Sequence, residues 1–208
     1  MGLRRSGGQE RLREVVEREY PRDPAGLVGQ LGGSDPEQRR WAARDLAGLP
    51  QAAAALGARL ALEQDASVRD VLFTSLATIA NDVAVDALLP LLRSEDASLR
   101  NDAIETLARM PKAVAPRINA LLADPDVDVR IFAVNLLGEL RHPNVPAWLS
   151  QVLGTERDVN VVAAAIEVFA EVGEPAHVPL LEATRRRFGD VAFIGFAVAM
   201  TIERIQSS

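Results

Sequence analysis

An all-α chain, built as a solenoid of about six helix pairs with an N-terminal capping helix, is what this sequence predicts, on three observations. Segments opening at Asp35, Asp65, Asp96, Asp126, Asp158 and Asp190 recur at spacings of 30, 31, 30, 32 and 32 residues, a period that marks stacked supersecondary units. Aromatic residues make up only 4% of the chain and alanine is abundant, a mixture that suits closely packed short helices better than a sheet. After each aspartate, apolar residues fall at helical spacing: Ala42, Leu46 and Leu49; Leu72, Leu76 and Ile79; Ala103, Leu107 and Met110; Ala133, Leu137 and Leu140.

The elements follow in chain order. Residues 1–22 form an arm and a capping helix, with Leu12, Val15, Val16 and Tyr20 on one face, because terminal units of a solenoid need a polar outer side. Pro21 stops this helix, and Asp23-Pro24 restarts the chain as N-cap and first helical residue. The solenoid then occupies 23–208, with repeats at approximately 23–50, 51–80, 81–111, 112–141, 142–173 and 174–208. Between the aspartate-led helices come turns and a further helix each, as in Arg141-His142-Pro143-Asn144-Val145-Pro146 and Gly173-Glu174-Pro175-Ala176-His177. Proline is tolerated there because the first helical turn leaves its amide positions unbonded.

In the best copies the aspartate is followed at the third and fourth positions by Gln38-Arg39, Val68-Arg69, Leu99-Arg100 and Val129-Arg130. The run Val129-Arg130-Ile131-Phe132-Ala133-Val134-Asn135-Leu136-Leu137-Gly138-Glu139-Leu140 resembles the signature of short HEAT-like repeats of the phycobilisome (bilin) lyase type. The resemblance covers about Asp23 to Ile205. It implies a right-handed solenoid of HEAT-like helix pairs whose aspartate-led helices line a concave groove. It also raises an enzymatic alternative, a bilin lyase or isomerase-like subunit acting on a phycobiliprotein or bilin. No catalytic residue carries over, and Val162 and Ile194 stand where copies five and six need the arginine.

In that register the groove positions are Arg40, Trp41 and Arg44; Asp70, Val71 and Thr74; Asn101, Asp102 and Glu105; Ile131, Phe132 and Asn135; Ala163, Ala164 and Glu167; Gly195, Phe196 and Ala199. Farther along the same helices stand Arg109, Glu139, Glu171 and Glu203. The candidate partner-binding set is Trp41, Arg44, Val71, Thr74, Asp102, Glu105, Phe132, Asn135, Glu139, Glu167 and Glu171. Trp41 and Phe132 are either anchors for a partner or packing in the seam between repeats. The acidic middle of the groove suits a basic or amphipathic segment and repels a phosphate backbone. Arg69, Arg100 and Arg130 read as a structural ladder pairing with aspartates of neighbouring repeats, and His142 and His177 as turn residues.

The last helix, Val191 to Ile202, is apolar on nearly every side. A stripe of Phe193, Ala197, Val198 and Ile194 packs inward, which leaves Phe196 and Met200 either as an association surface, for a second copy in a homodimer or for the physiological partner, or covered by an inward turn of the helix itself.

The remaining composition limits chemistry. With no cysteine, two histidines and one tyrosine, thiolate nucleophiles, disulfides and cysteine–zinc sites are excluded, and no metal or cofactor site is expected. Lys112 is the single lysine among 23 cations, a bias pointing to a GC-rich, bacterial coding sequence. The N-terminus lacks the apolar stretch of a secretory signal, and no run reaches the ~20 residues of a spanning helix, so the expected location is the cytoplasm. A net charge of −6 completes the expectation: a non-catalytic scaffold or adaptor for a protein partner, with neither nucleic acid nor membrane involved.

Overall fold

A computed structural model describes residues 20–207, so all but the last three residues of the expected arm and capping helix over 1–22 lie outside the described residues. The described chain is an α-solenoid in two layers. One layer stacks the first helix of each pair: α1 (Pro24–Leu31), α3 (Ala53–Leu60), α5 (Asp82–Leu88), the broken α7 (Pro111–Val114) and α8 (Ile118–Leu122), α10 (Val145–Thr155) and α12 (Val178–Arg187). The other stacks α2 (Pro36–Leu46), α4 (Ala66–Ile79), α6 (Ala97–Ala108), α9 (Val127–Glu139), α11 (Val159–Val172) and α13 (Ala192–Ser207), each packed on the next. One apolar core runs through the interior from Leu27 to Ile205.

The recurring aspartates start these helices for a local reason. The side chains of Asp35, Asp65, Asp96, Asp126 and Asp158 accept backbone N–H groups of the first turn, at 2.9 Å from Glu37 and 3.1 Å from Val68, for example. Each such cap is worth about 1 kcal/mol. Asp23 caps α1 in the same way, accepting from Gly26 at 2.7 Å.

Copy six departs from the expected register by one residue. The amides of Ile194 and Gly195 bond to the carbonyl of Val191, as those of Val68 and Arg69 bond to Asp65. Val191 therefore holds the cap position, and the last spacing is 33 residues (191 − 158). Buried Ile194, Val198, Thr201 and Ile205 then match Val68, Leu72, Ser75 and Ile79. A hydrogen bond supports the match: Ser75 Oγ donates to the Ala43 carbonyl at 2.9 Å, and Thr201 Oγ1 donates to the Ile166 carbonyl at 3.4 Å. Consequently Phe193, expected to pack inward, is 51% exposed.

Close approach in the first-helix layer depends on one glycine. A Cβ at Gly57 of α3 would lie 2.4 Å from the Cβ of Ala87 in α5, closer than any side chain permits, so the two helices touch through a bare backbone.

Candidate partner-binding face

The exposed edge of the second-helix layer presents one rung per repeat. Counted from each cap, the positions five, six, nine and thirteen residues on form rows along the stack. In the corrected register the last rung is Phe196, Ala197, Met200 and Arg204, in place of Gly195, Phe196, Ala199 and Glu203. Arg204 stands beside Glu171 of the preceding rung and pairs with it at 2.8 Å. Glu171 is thus already partnered, contrary to its expected place in an open acidic face.

The ninth-position row is exposed throughout: Arg44, Thr74, Glu105, Asn135, Glu167 and Met200. Trp41 is 51% exposed, Phe196 69% and Met200 49%. Phe132 is different. It is half-buried against the core, and the Arg100 guanidinium lies over its ring with Cζ 4.6 Å from the centroid, so it packs in the seam between repeats three and four. Val71 is likewise half-buried against the core.

An open cleft of about 700 Å3 separates α6 from α9 and is lined by Asn101, Ile104, Glu105, Ala108, Arg109, Pro111, Asn135, Glu139 and Arg141. The structure thereby brings Glu105, Asn135 and Glu139 together in one recess. It also adds Arg141, which reads as a turn residue in the sequence, so two arginines face two glutamates in this recess. The excess of negative charge sits one rung earlier. Half-buried Asp102 has its carboxyl pKa raised by burial, and by the like charges of Asp70 and Glu105, with Arg69 opposing. Asp70, Asp102, Glu105, Glu139 and Glu167 form no ion pair with a described residue. Three or more metal-ligating side chains do not gather anywhere among the described residues.

The ladder occupies the turns at the other end of these helices. Arg39 reaches Glu63 through two bonds of 2.8 and 2.9 Å and also donates to the carbonyls of Gly33 and Ser34. Arg69 meets Asp96 at 3.6 Å, and Arg130 meets Glu156 at 2.8 Å. Only Arg69 has the expected aspartate. Arg100 has no carboxylate partner among the described residues, because Asp124, where its partner would stand, is taken by Arg93 at 2.6 Å. Arg100 instead donates to the Ser94 carbonyl and stacks on Phe132, with its Nε buried and unbonded.

Sequence reasoning missed the residue two before the caps Asp65, Asp96, Asp126 and Asp158. Glu63, Ser94, Asp124 and Glu156 accept the amide of the following cap aspartate at 3.0, 3.1, 2.9 and 2.8 Å. The signal was present as a recurring acid or hydroxyl two positions ahead of the aspartate. Burial disfavours the charged form of Glu63, but bonds from Arg39, the Asp65 amide and Arg59 outweigh it and hold its pKa at about 2. Both histidines serve turns: His142 Nδ1 accepts the Asn144 amide at 3.1 Å, and His177 Nδ1 accepts the Glu174 amide at 3.0 Å.

Residues 114–191 match the HEAT repeats family. No curated protein matches the chain. Among solved structures, the chain is similar to an archaeal HEAT-like repeats protein from Thermococcus onnurineus NA1, at 16% identity over 88% of this chain and 87% of that one, with a TM-score of 0.43. It is also similar to a chain in the complex of CpcE and CpcF of phycocyanin lyase from Nostoc sp. PCC7120, at 17% identity over 96% and 100%, with a TM-score of 0.38. A designed armadillo repeat protein matches at 16% identity over 88% and 99%, with a TM-score of 0.38. None of the described helices is long and apolar enough to cross a membrane.

Proposed function

We propose that this chain is a non-catalytic adaptor that holds a basic or amphipathic protein segment along the exposed edge of its second-helix layer. The observation that carries this reading is the cluster of carboxylates at Asp70, Asp102 and Glu105, whose like charges add to burial in raising the Asp102 pKa and which form no ion pair with a described residue, Arg69 being paired with Asp96. Such a cluster costs folding stability and becomes favourable when an external cation covers it. The adjoining cleft between α6 and α9 gives a segment room to lie down.

The test is charge reversal. Immobilised wild-type chain is expected to retain a protein from cells that express it at low salt, and Glu105→Arg with Glu139→Arg is expected to lose it while keeping full helicity. Equal retention by both forms would reject the electrostatic reading.

A further inference from the structure

The exposed edge changes chemistry from one end to the other. At α2 it is basic and aromatic: Arg44 is exposed without a partner among the described residues, Trp41 is half-exposed, and Arg40 makes one long contact of 3.5 Å to Ser67. At α4 and α6 it is acidic, through Asp70, Asp102 and Glu105. At α13, in the corrected register, it is apolar, through Phe196 and Met200.

We propose that the bound segment carries these chemistries in complementary order: an acidic group against Arg40 and Arg44 beside Trp41, a cation against Asp70, Asp102 and Glu105, and large apolar side chains against Phe196 and Met200. This rests on the adaptor reading above and adds the partner's composition and register. Stacked helices lie about 8 to 10 Å apart, so the basic rung stands roughly 16 to 20 Å from α6, and α6 roughly 24 to 30 Å from α13. At about 3.3 Å per residue, an extended segment would place its acid about five residues from its cation and its apolar group about eight residues beyond. A shift of one block sets like charges against each other, which is how such an edge excludes wrong registers and wrong partners. Apolar contact at the α13 end would cover Phe196 and Met200, two of the three large apolar side chains that the fold leaves open on this helix, Phe193 being the third.

A displayed library of random 15-residue peptides tests this. Peptides are selected on the wild-type chain and then sorted for loss of binding to Glu105→Arg. The expected enriched set carries the acid, cation and apolar blocks in this order, or in its full reversal, at about these spacings. Arg44→Glu is expected to weaken those peptides at least tenfold at low salt. Enriched peptides that depend on Glu105 but lack the order, or that bind Arg44→Glu as well as wild type, would overturn this inference and leave the adaptor reading standing. Enrichment of no peptide dependent on Glu105 would overturn both. Circular dichroism of each variant checks the fold, and Arg44→Gln and Glu105→Gln replace any variant that melts early.

Discussion

Arg39 and Glu63, one at the start of α2 and the other in the turn before α4, form a buried ion pair with Nε to Oε2 at 2.8 Å and Nη2 to Oε1 at 2.9 Å. The pair ties the first repeat to the second, and the same carboxylate caps the turn by accepting the amides of Gln64 and Asp65. A charge buried this deeply is stabilising only while its partner is present. Glu63→Ala is therefore expected to cost about 3 to 5 kcal/mol, measured by urea unfolding at neutral pH.

Acid should act through the same group. The Glu63 pKa is lowered from 4.5 to about 2 in the folded chain, so its contribution is complete above about pH 4.5 and is lost as pH falls toward 2. The loss amounts to about 3 kcal/mol. Asp124 and Glu156, also lowered against the opposing effect of burial by their arginine and amide bonds, add to the same trend. Unfolding free energies at pH 6, 4 and 2.5 check it, and Glu63→Gln should flatten the dependence.

Asp102 has the opposite sign. Its folded pKa is raised, so the cost it imposes appears as pH rises through that value and vanishes below the unfolded value. Asp102→Asn should stabilise the chain at pH 7 by less than about 1 kcal/mol, with the gain shrinking toward pH 3.5, and should weaken partner capture. Parallel melting and capture of the two forms would show this exchange of stability for binding.

The two aromatic candidates should separate cleanly. Phe132→Ala removes a half-buried ring and the face on which Arg100 rests, a loss of about 2 kcal/mol. Trp41→Ala removes a half-exposed ring and should move stability within about 0.5 kcal/mol while lowering partner affinity. Thermal melting beside a binding titration distinguishes them.

Ala80 ends α4 in the left-handed conformation, with φ 48° and ψ 41°. A Cβ is unfavourable there and glycine is the residue that suits it. Ala80→Gly is expected to raise stability by about 0.5 to 1 kcal/mol, read as an increase in melting temperature.

The period of the repeat and the capping aspartates were legible because both are local: the carboxylate of Asp65 bonds amides two or three residues away, and apolar spacing reports one helix at a time. The ladder partners were not, since the distance from Arg130 to Glu156 is set by how two pairs stack. Copy six misled for a specific reason. Asp190 stands one residue before the cap, and the slip shows in the bonds to the Val191 carbonyl, in the burial of Ile194 and Val198 and in the Thr201 hydrogen bond to Ile166. That single residue moves Phe193 outward and places Arg204 beside Glu171. The acidic face likewise looked longer in sequence than it is, because Arg204 is remote in the chain from the Glu171 it pairs with, and Arg141, two residues after Glu139, is brought to the recess that holds Glu105 by the packing of α9 on α6.

Carboxyl labelling of the chain with and without its captured partner is the most direct measure of where a partner sits. The account expects protection at Asp70, Asp102 and Glu105, with Asp82 and Asp86 on α5 unchanged. Protection at α5 with free labelling of Asp102 and Glu105 would place the partner on the opposite layer and contradict it.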